Sequence, residues 1–114
     1  MDDLQVTARQ DGDVGLLSVD GEMRMEVATR LLDSGRELAA NGAHHLLVDL
    51  TRVVFMDSAS LAALIRLDRE LGEGEGRVVL YGLSPAVERV LVNCGLEGRF
   101  PVARDEEGAR SLLS

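Results

Sequence analysis

The chain has 114 residues, which suits one domain with a buried core, and 46% of them are hydrophobic. Its formal net charge is −8, from 20 acidic residues against 12 basic ones, and every basic residue is an arginine. An acidic surface gains nothing from counterion release on a phosphate backbone, so we expect no nucleic acid partner. The absence of lysine excludes a P-loop and Schiff-base chemistry, because both need a lysine amine.

The same features predict where the protein works. The single cysteine, Cys94, cannot form an intrachain disulfide, which is typical of a reducing compartment. The first residues lack the basic region and apolar run of a secretion signal. No apolar stretch approaches the roughly 20 residues that span a bilayer. We therefore expect a single cytoplasmic domain over residues 1–114, with no membrane partner and no cofactor.

The chain opens with a predicted antiparallel hairpin. Apolar and polar residues alternate from Leu4 to Arg9, which is the period of a half-exposed strand. The pair Asp11-Gly12 favours a turn, and a second strand follows over residues 14–19. We expect Gly21 to end this second strand.

Helices and buried strands alternate through the middle of the chain. One apolar face predicts a helix from Met25 to Ala40, which Asn41-Gly42 would end. The apolar run at 46–50 is typical of a strand buried on both faces. A connector over 51–56 and a second helix over 58–71 come next.

The remaining elements continue this alternation. Residues 78–81 predict another buried strand, and Ser84-Pro85 is a typical helix start. Cys94 falls on the apolar stripe of that helix, so we expect its thiol to be buried. Pro101 places the strand at 99–102 on a sheet edge, and a last helix begins near Asp105. The order β-β-α-β-α-β-α-β-α predicts an α/β fold, with about four helices packed on a mixed sheet of four to five strands.

The junction at 55–61 is the most informative segment for function. Capping is the simplest interpretation, since Asp57 or Ser58 would satisfy free N–H groups at the start of a helix. A hydroxyl at this position is also well placed to carry a phosphate, because free N–H groups and the helix dipole favour added negative charge. Local chemistry therefore permits a phosphorylation switch at Ser58.

Two other constellations point less clearly to chemistry. Ser84 lies between a strand and a helix, as in the nucleophile elbow of serine hydrolases. The next residue, Pro85, has no N–H to contribute to an oxyanion hole, so we interpret Ser84 as a cap. His44 and His45 are neighbours at a strand start and should point to opposite faces, which makes a metal site unfavourable.

The sequence resembles the bacterial anti-sigma factor antagonists, the single-domain branch of the STAS fold. The resemblance runs over nearly the whole chain. It is carried by the opening hairpin, Gly21-Glu22, the strand at 46–50, Phe55-Met56-Asp57-Ser58 and the segment from Leu83 to Leu96. The Met-Asp-Ser junction and the Ser-Pro-Ala-Val helix start are specific when taken together.

This resemblance implies a non-enzymatic regulator that acts by partner switching. The unphosphorylated protein would bind an anti-sigma factor that is also a serine kinase, and so release a sigma factor. The kinase would then phosphorylate the serine after the aspartate, here Ser58, and binding would end until a phosphatase removed the phosphate. The partner surface would comprise the loop Gly21, Glu22, Met23, Arg24 and the helix start Asp57, Ser58, Ala59, Ser60, Leu61.

The chain also departs from the family pattern. The family commonly reads Asp-Ser-Ser/Thr-Gly-Leu-Gly, where this chain has Asp-Ser-Ala-Ser-Leu-Ala, so Ser60 becomes an alternate phosphate acceptor. Arg24 stands where the family favours aspartate. One alternative is therefore a STAS scaffold or transporter-associated module that binds partners without phosphorylation, and another is a small hydrolase using Ser84. A receiver domain is excluded by the opening hairpin and the missing lysine.

Overall fold

A computed structural model of the chain describes residues 5–113, so the predicted strand residue Leu4 lies outside the described part. Five strands and four helices form within these residues. The strands are β1 (Val6–Asp11), β2 (Val14–Met23), β3 (His45–Met56), β4 (Val78–Tyr81) and β5 (Val102–Ala103). The helices are α1 (Met25–Ala40), α2 (Ser58–Gly72), α3 (Pro85–Asn93) and α4 (Glu106–Ser111).

The strands form one mixed sheet in the order β1-β2-β3-β4-β5. The β1–β2 pair is antiparallel, and each later pair is parallel. The predicted α/β architecture with an opening hairpin is therefore confirmed. Parallel neighbours need crossover connections, and α1, α2 and α3 supply them.

The two faces of the sheet are covered unequally. On one face, α1, α2 and α3 pack a large aliphatic core that includes Leu31, Leu64 and Val87. On the other face, Leu47 and Ala109 belong to a much smaller cluster beneath α4. The continuous apolar run of β3 follows from this arrangement, because successive strand side chains enter opposite faces.

The second and third strands are longer than predicted. Gly21 does not end β2, and residues 51–56 are not a connector but the second half of β3. Gly21 has φ of +99°, a conformation that glycine adopts without steric cost, at an irregularity where the β2–β3 register shifts. The two strands therefore continue together as far as the Met23–Met56 pair.

Two expectations in the last third of the chain were wrong. Cys94 is exposed rather than buried, because α3 ends at Asn93 and Cys94 already belongs to the following turn. The last strand begins at Val102, not at Arg99. Arg99 lies in a turn, where its N–H donates to the carbonyl oxygen of Leu96. Pro101 precedes this edge strand and contributes only its carbonyl, to the N–H of Leu80 (3.0 Å).

Candidate partner-binding site

Ser58 lies where two parallel strands end side by side and two helices begin. The N–H of Asp57 donates to the carbonyl oxygen of Met23 (3.0 Å), one step beyond the Met23–Met56 pair. Arg24 and Ser58 follow directly, at the starts of α1 and α2. The extended strands thus bring the two predicted partner segments, which are more than thirty residues apart in sequence, to one end of the sheet.

Asp57 caps α2, and this leaves Ser58 exposed. The carboxylate Oδ1 of Asp57 accepts a hydrogen bond from the N–H of Ser60 (2.9 Å). Asp57 has extended backbone, as N-cap residues do, and Ser58 is the first residue of the helix. Asp57, and not Ser58, is therefore the N-cap residue of α2. The Ser58 side chain lies on the surface.

Ser60 is buried, and its geometry disfavours the role of alternate phosphate acceptor. Its exposed fraction is 0%, and within residues 5–113 it is the one polar side chain that is fully buried. Its hydroxyl lies 2.8 Å from the carbonyl oxygen of Met23 and 2.9 Å from Oδ1 of Asp57. A kinase would have to break the cap and open the helix start to reach this hydroxyl. The added phosphate would also have no space in the core.

The predicted partner residues divide into an accessible and an inaccessible group. The side chains of Met23 and Leu61 are 0% and 4% exposed, so they support the site from the core rather than forming its surface. Gly21 to Met23 also belong to β2 and not to a loop. The accessible members are Gly21, Glu22, Arg24, Asp57, Ser58 and Ala59.

Arg24 is held on the surface beside this site. It is the N-cap residue of α1, yet its side chain makes no capping hydrogen bond. Instead, its Nε donates to Oε1 of Glu22 (2.9 Å), and its guanidinium lies 4.6 Å from the centre of the Phe55 ring. Both side chains of the ion pair are 55% exposed. Exposed pairs of this kind contribute little to stability, so Arg24 can exchange partners readily.

Sequence reasoning missed three exposed hydrophobic residues at the same end of the sheet. Val54, Phe55 and Met25 are 65%, 39% and 65% exposed. Beside them, a shallow groove of about 160 Å³ runs between α1 and α2, lined mainly by Met25, Ala28, Leu32, Ala59, Ala62 and Ala63. Met25 and the groove together form an apolar surface of the kind that protein interfaces use. The signal in the sequence was the apolar pair Val54-Phe55 within a presumed connector.

The other candidate sites have structural explanations. The Ser84 hydroxyl accepts from the N–H of Val87 (3.3 Å), and Pro85 occupies the first turn of α3, as the capping interpretation predicted. The expectation that His44 and His45 point to opposite faces was wrong. Their ring centroids lie 4.5 Å apart in an edge-to-face arrangement, because His44 precedes β3 and strand alternation does not apply to it. Residues 5–113 hold no group of three or more potential metal ligands.

We expect Ser84→Ala to lower the free energy of unfolding by about 1 kcal/mol, because the variant loses an N-cap hydrogen bond. Urea denaturation measures this change, and phosphorylation at Ser58 should be unaffected. Ser34→Ala, inside α1, is the matched control and should not destabilise the protein. A denaturation midpoint for Ser84→Ala equal to that of the unaltered protein would contradict the capping role.

Comparison with known proteins places this geometry in a family. The STAS domain profile matches residues 5–109. BtrV of Bordetella bronchiseptica, named as an anti-sigma factor antagonist, is 34% identical over 80 residues, which cover 68% of this chain and 69% of BtrV. The chain therefore belongs to the STAS domain family, and the resemblance to anti-sigma factor antagonists is confirmed.

Solved structures agree with the fold. An anti-sigma factor antagonist from Mycobacterium paratuberculosis is 26% identical, with a TM-score of 0.81 over 94% of this chain and 91% of that one. A Thermotoga maritima protein described by the same function has a TM-score of 0.84 over 93% and 92% of the two chains, at 20% identity. Among residues 5–113, no helix is both long enough and apolar enough to cross a membrane.

Proposed function

We propose that this protein is an anti-sigma factor antagonist that is controlled by phosphorylation of Ser58. In the unphosphorylated state it binds an anti-sigma factor serine kinase in the cytoplasm and so frees a sigma factor, and it catalyses no reaction itself. One observation carries the proposal. An exposed hydroxyl begins α2 beside a separate cap, Asp57, so the hydroxyl can be modified without loss of the cap. The names of the related proteins support the same function.

The modification is a phosphoryl transfer from ATP that is bound by the kinase. The Ser58 oxygen forms a bond to the γ-phosphorus, and the bond between that phosphorus and the β–γ bridging oxygen breaks. ADP leaves, and a base on the kinase takes the hydroxyl proton. This antagonist supplies only the acceptor. A phosphatase then hydrolyses the phosphoester with water and restores the hydroxyl.

The surface around Ser58 supports a role in partner binding. The exposed side chains of Met25, Val54 and Phe55 offer apolar area, and Glu22 and Arg24 offer charges of both signs. Apolar anchors with a polar rim are the usual composition of a protein interface. A phosphate on Ser58 would lie within this surface, so phosphorylation would change binding directly.

Phosphorylation by the cognate anti-sigma factor kinase tests the proposal. We expect intact mass measurement after incubation with kinase and ATP to show one added phosphate, which Ser58→Ala abolishes. Ser60→Ala is the matched control and should still accept one phosphate, because the Ser60 hydroxyl is buried.

Two outcomes would contradict this function. Loss of the phosphate in Ser60→Ala, with Ser58→Ala still modified, would move the switch to Ser60. Partner binding with no phosphate transfer to either serine would favour the alternative, a STAS scaffold or transporter-associated module that is not phosphorylated. The turn Ala59-Ser60-Leu61-Ala62, which departs from the family pattern, is the observation that supports this alternative.

A further inference from the structure

The two segments that meet at Ser58 carry more acidic than basic residues. Three acidic residues and one basic residue occur within residues 22–26 and 55–62: Glu22, Glu26, Asp57 and Arg24. The next arginine along α2, Arg66, is two turns away, about 12 Å along the helix. A phosphoserine adds a charge of about −1.5 to −2 at neutral pH. Within these two segments, Arg24 is therefore the one cationic side chain that can pair with the added charge.

We propose that Arg24 is the intramolecular receptor of the Ser58 phosphate, which draws its guanidinium away from Glu22 and from the Phe55 ring. The inference rests on the proposed function, because it takes Ser58 as the modified residue. Met23 and Asp57 are joined by a backbone hydrogen bond, and Arg24 and Ser58 are the residues that follow each of them. The long arginine side chain at this position starts from backbone adjacent to the phosphate.

The exchange of partners is favourable on chemical grounds. The Arg24–Glu22 bond is made by one nitrogen, Nε, and both side chains are mostly in solvent. A phosphate offers three acceptor oxygens and more charge than a carboxylate, and guanidinium groups bind it through two parallel hydrogen bonds. The Arg24 side chain makes no capping hydrogen bond in α1, so its movement costs the helix no hydrogen bond.

The consequence is a larger change of the partner surface than the phosphate makes alone. Phosphorylation adds negative charge at Ser58 and, in the same event, neutralises the exposed cation of Arg24. It also uncovers the Phe55 ring, which the guanidinium covers in the unphosphorylated protein. Arg24 thus makes the two states of the surface differ in charge and in shape.

The test uses the full chain with phosphoserine incorporated at position 58 during translation, so neither kinase nor partner is needed. Phosphorus NMR gives the second pKa of the phosphate, which is about 6 in an unperturbed phosphoserine. A nearby guanidinium favours the dianion and lowers this pKa, so Arg24→Gln should raise it by about half a pH unit. Glu22→Gln, which frees Arg24, should lower it.

Arg52→Gln is the matched control, since Arg52 is another exposed arginine that pairs with an acidic residue, Asp20. The Asp20–Arg52 pair lies three β2 residues before the Met23–Met56 pair, farther from Ser58. Arg52→Gln should leave the phosphate pKa nearly unchanged. Equal pKa values in Arg24→Gln and Arg52→Gln would overturn the proposal, whatever the kinase does. Failure of the kinase to modify Ser58 would overturn the proposed function, while the pKa comparison would still decide whether Arg24 can bind the phosphate.

Discussion

Phosphorylation of Ser58 is expected to weaken binding of the anti-sigma factor kinase by roughly 30-fold to several thousand-fold. Loss of a well-placed interface contact costs about 2–5 kcal/mol, which corresponds to that range of affinity. The phosphate would have to lose water on entering the interface, and Asp57 beside it adds repulsion. Isothermal titration calorimetry with the phosphorylated and the unphosphorylated protein measures the difference.

The fold should be nearly unchanged by the same modification. Ser58 is exposed at the first position of α2, where the helix dipole favours negative charge by roughly 0.3–1 kcal/mol. The melting temperature of the phosphorylated protein should therefore equal or slightly exceed that of the unmodified one. A large fall in melting temperature would mean that phosphorylation acts by unfolding the site. Unchanged affinity would exclude Ser58 as the switch.

Asp57→Ala is expected to lower the free energy of unfolding by about 1–2 kcal/mol, as measured by urea denaturation. The carboxylate oxygen of Asp57 accepts from the N–H of Ser60 and lies within hydrogen-bond distance of its hydroxyl. Removal of this oxygen leaves a buried donor at the start of α2 without its acceptor. The effect therefore combines the loss of a helix cap with the loss of a partly buried hydrogen bond.

Asp57→Asn separates the cap from the charge. Asparagine keeps an oxygen at the same position, so we expect its stability to lie close to that of the unaltered protein. Asp33→Ala, at an exposed position inside α1, is the control for removal of an acidic side chain and should change stability by less than about 0.5 kcal/mol. Equal losses in Asp57→Ala and Asp57→Asn would show that charge, rather than capping, explains the effect.

Features that depend on a few neighbouring residues could be predicted from the sequence. The helix Met25–Ala40 has the predicted bounds, because its apolar period and its Asn41-Gly42 end are local signals. Ser84 caps α3 as predicted, since a serine before a proline is suited to a helix start by its own chemistry. The order of elements was enough to predict the mixed sheet, because alternating strands and helices leave few topologies.

The candidate site could be predicted only in part. Ser58 and Asp57 were named from a short motif, and the structure places the first on the surface and the second in the cap. The sequence left Ser60 as an alternate phosphate acceptor, because the sequence alone does not show which of two nearby serines is exposed. Their difference in exposure arises from helix geometry, which turns Ser60 toward Met23 and Ser58 away from it.

The extent of β2 and β3 was decided by tertiary structure. Apolar and polar residues do not alternate clearly in residues 51–56, so the sequence did not predict a strand there. These residues form the second half of β3 because β2 continues through the irregularity at Gly21 and pairs with them. Pairing between segments more than thirty residues apart depends on register, which no local pattern contains. That pairing places Arg24 and Phe55 beside Ser58. The sequence by itself determined which elements form and which serine to test, while the contacts between distant strands determined the surface that surrounds it.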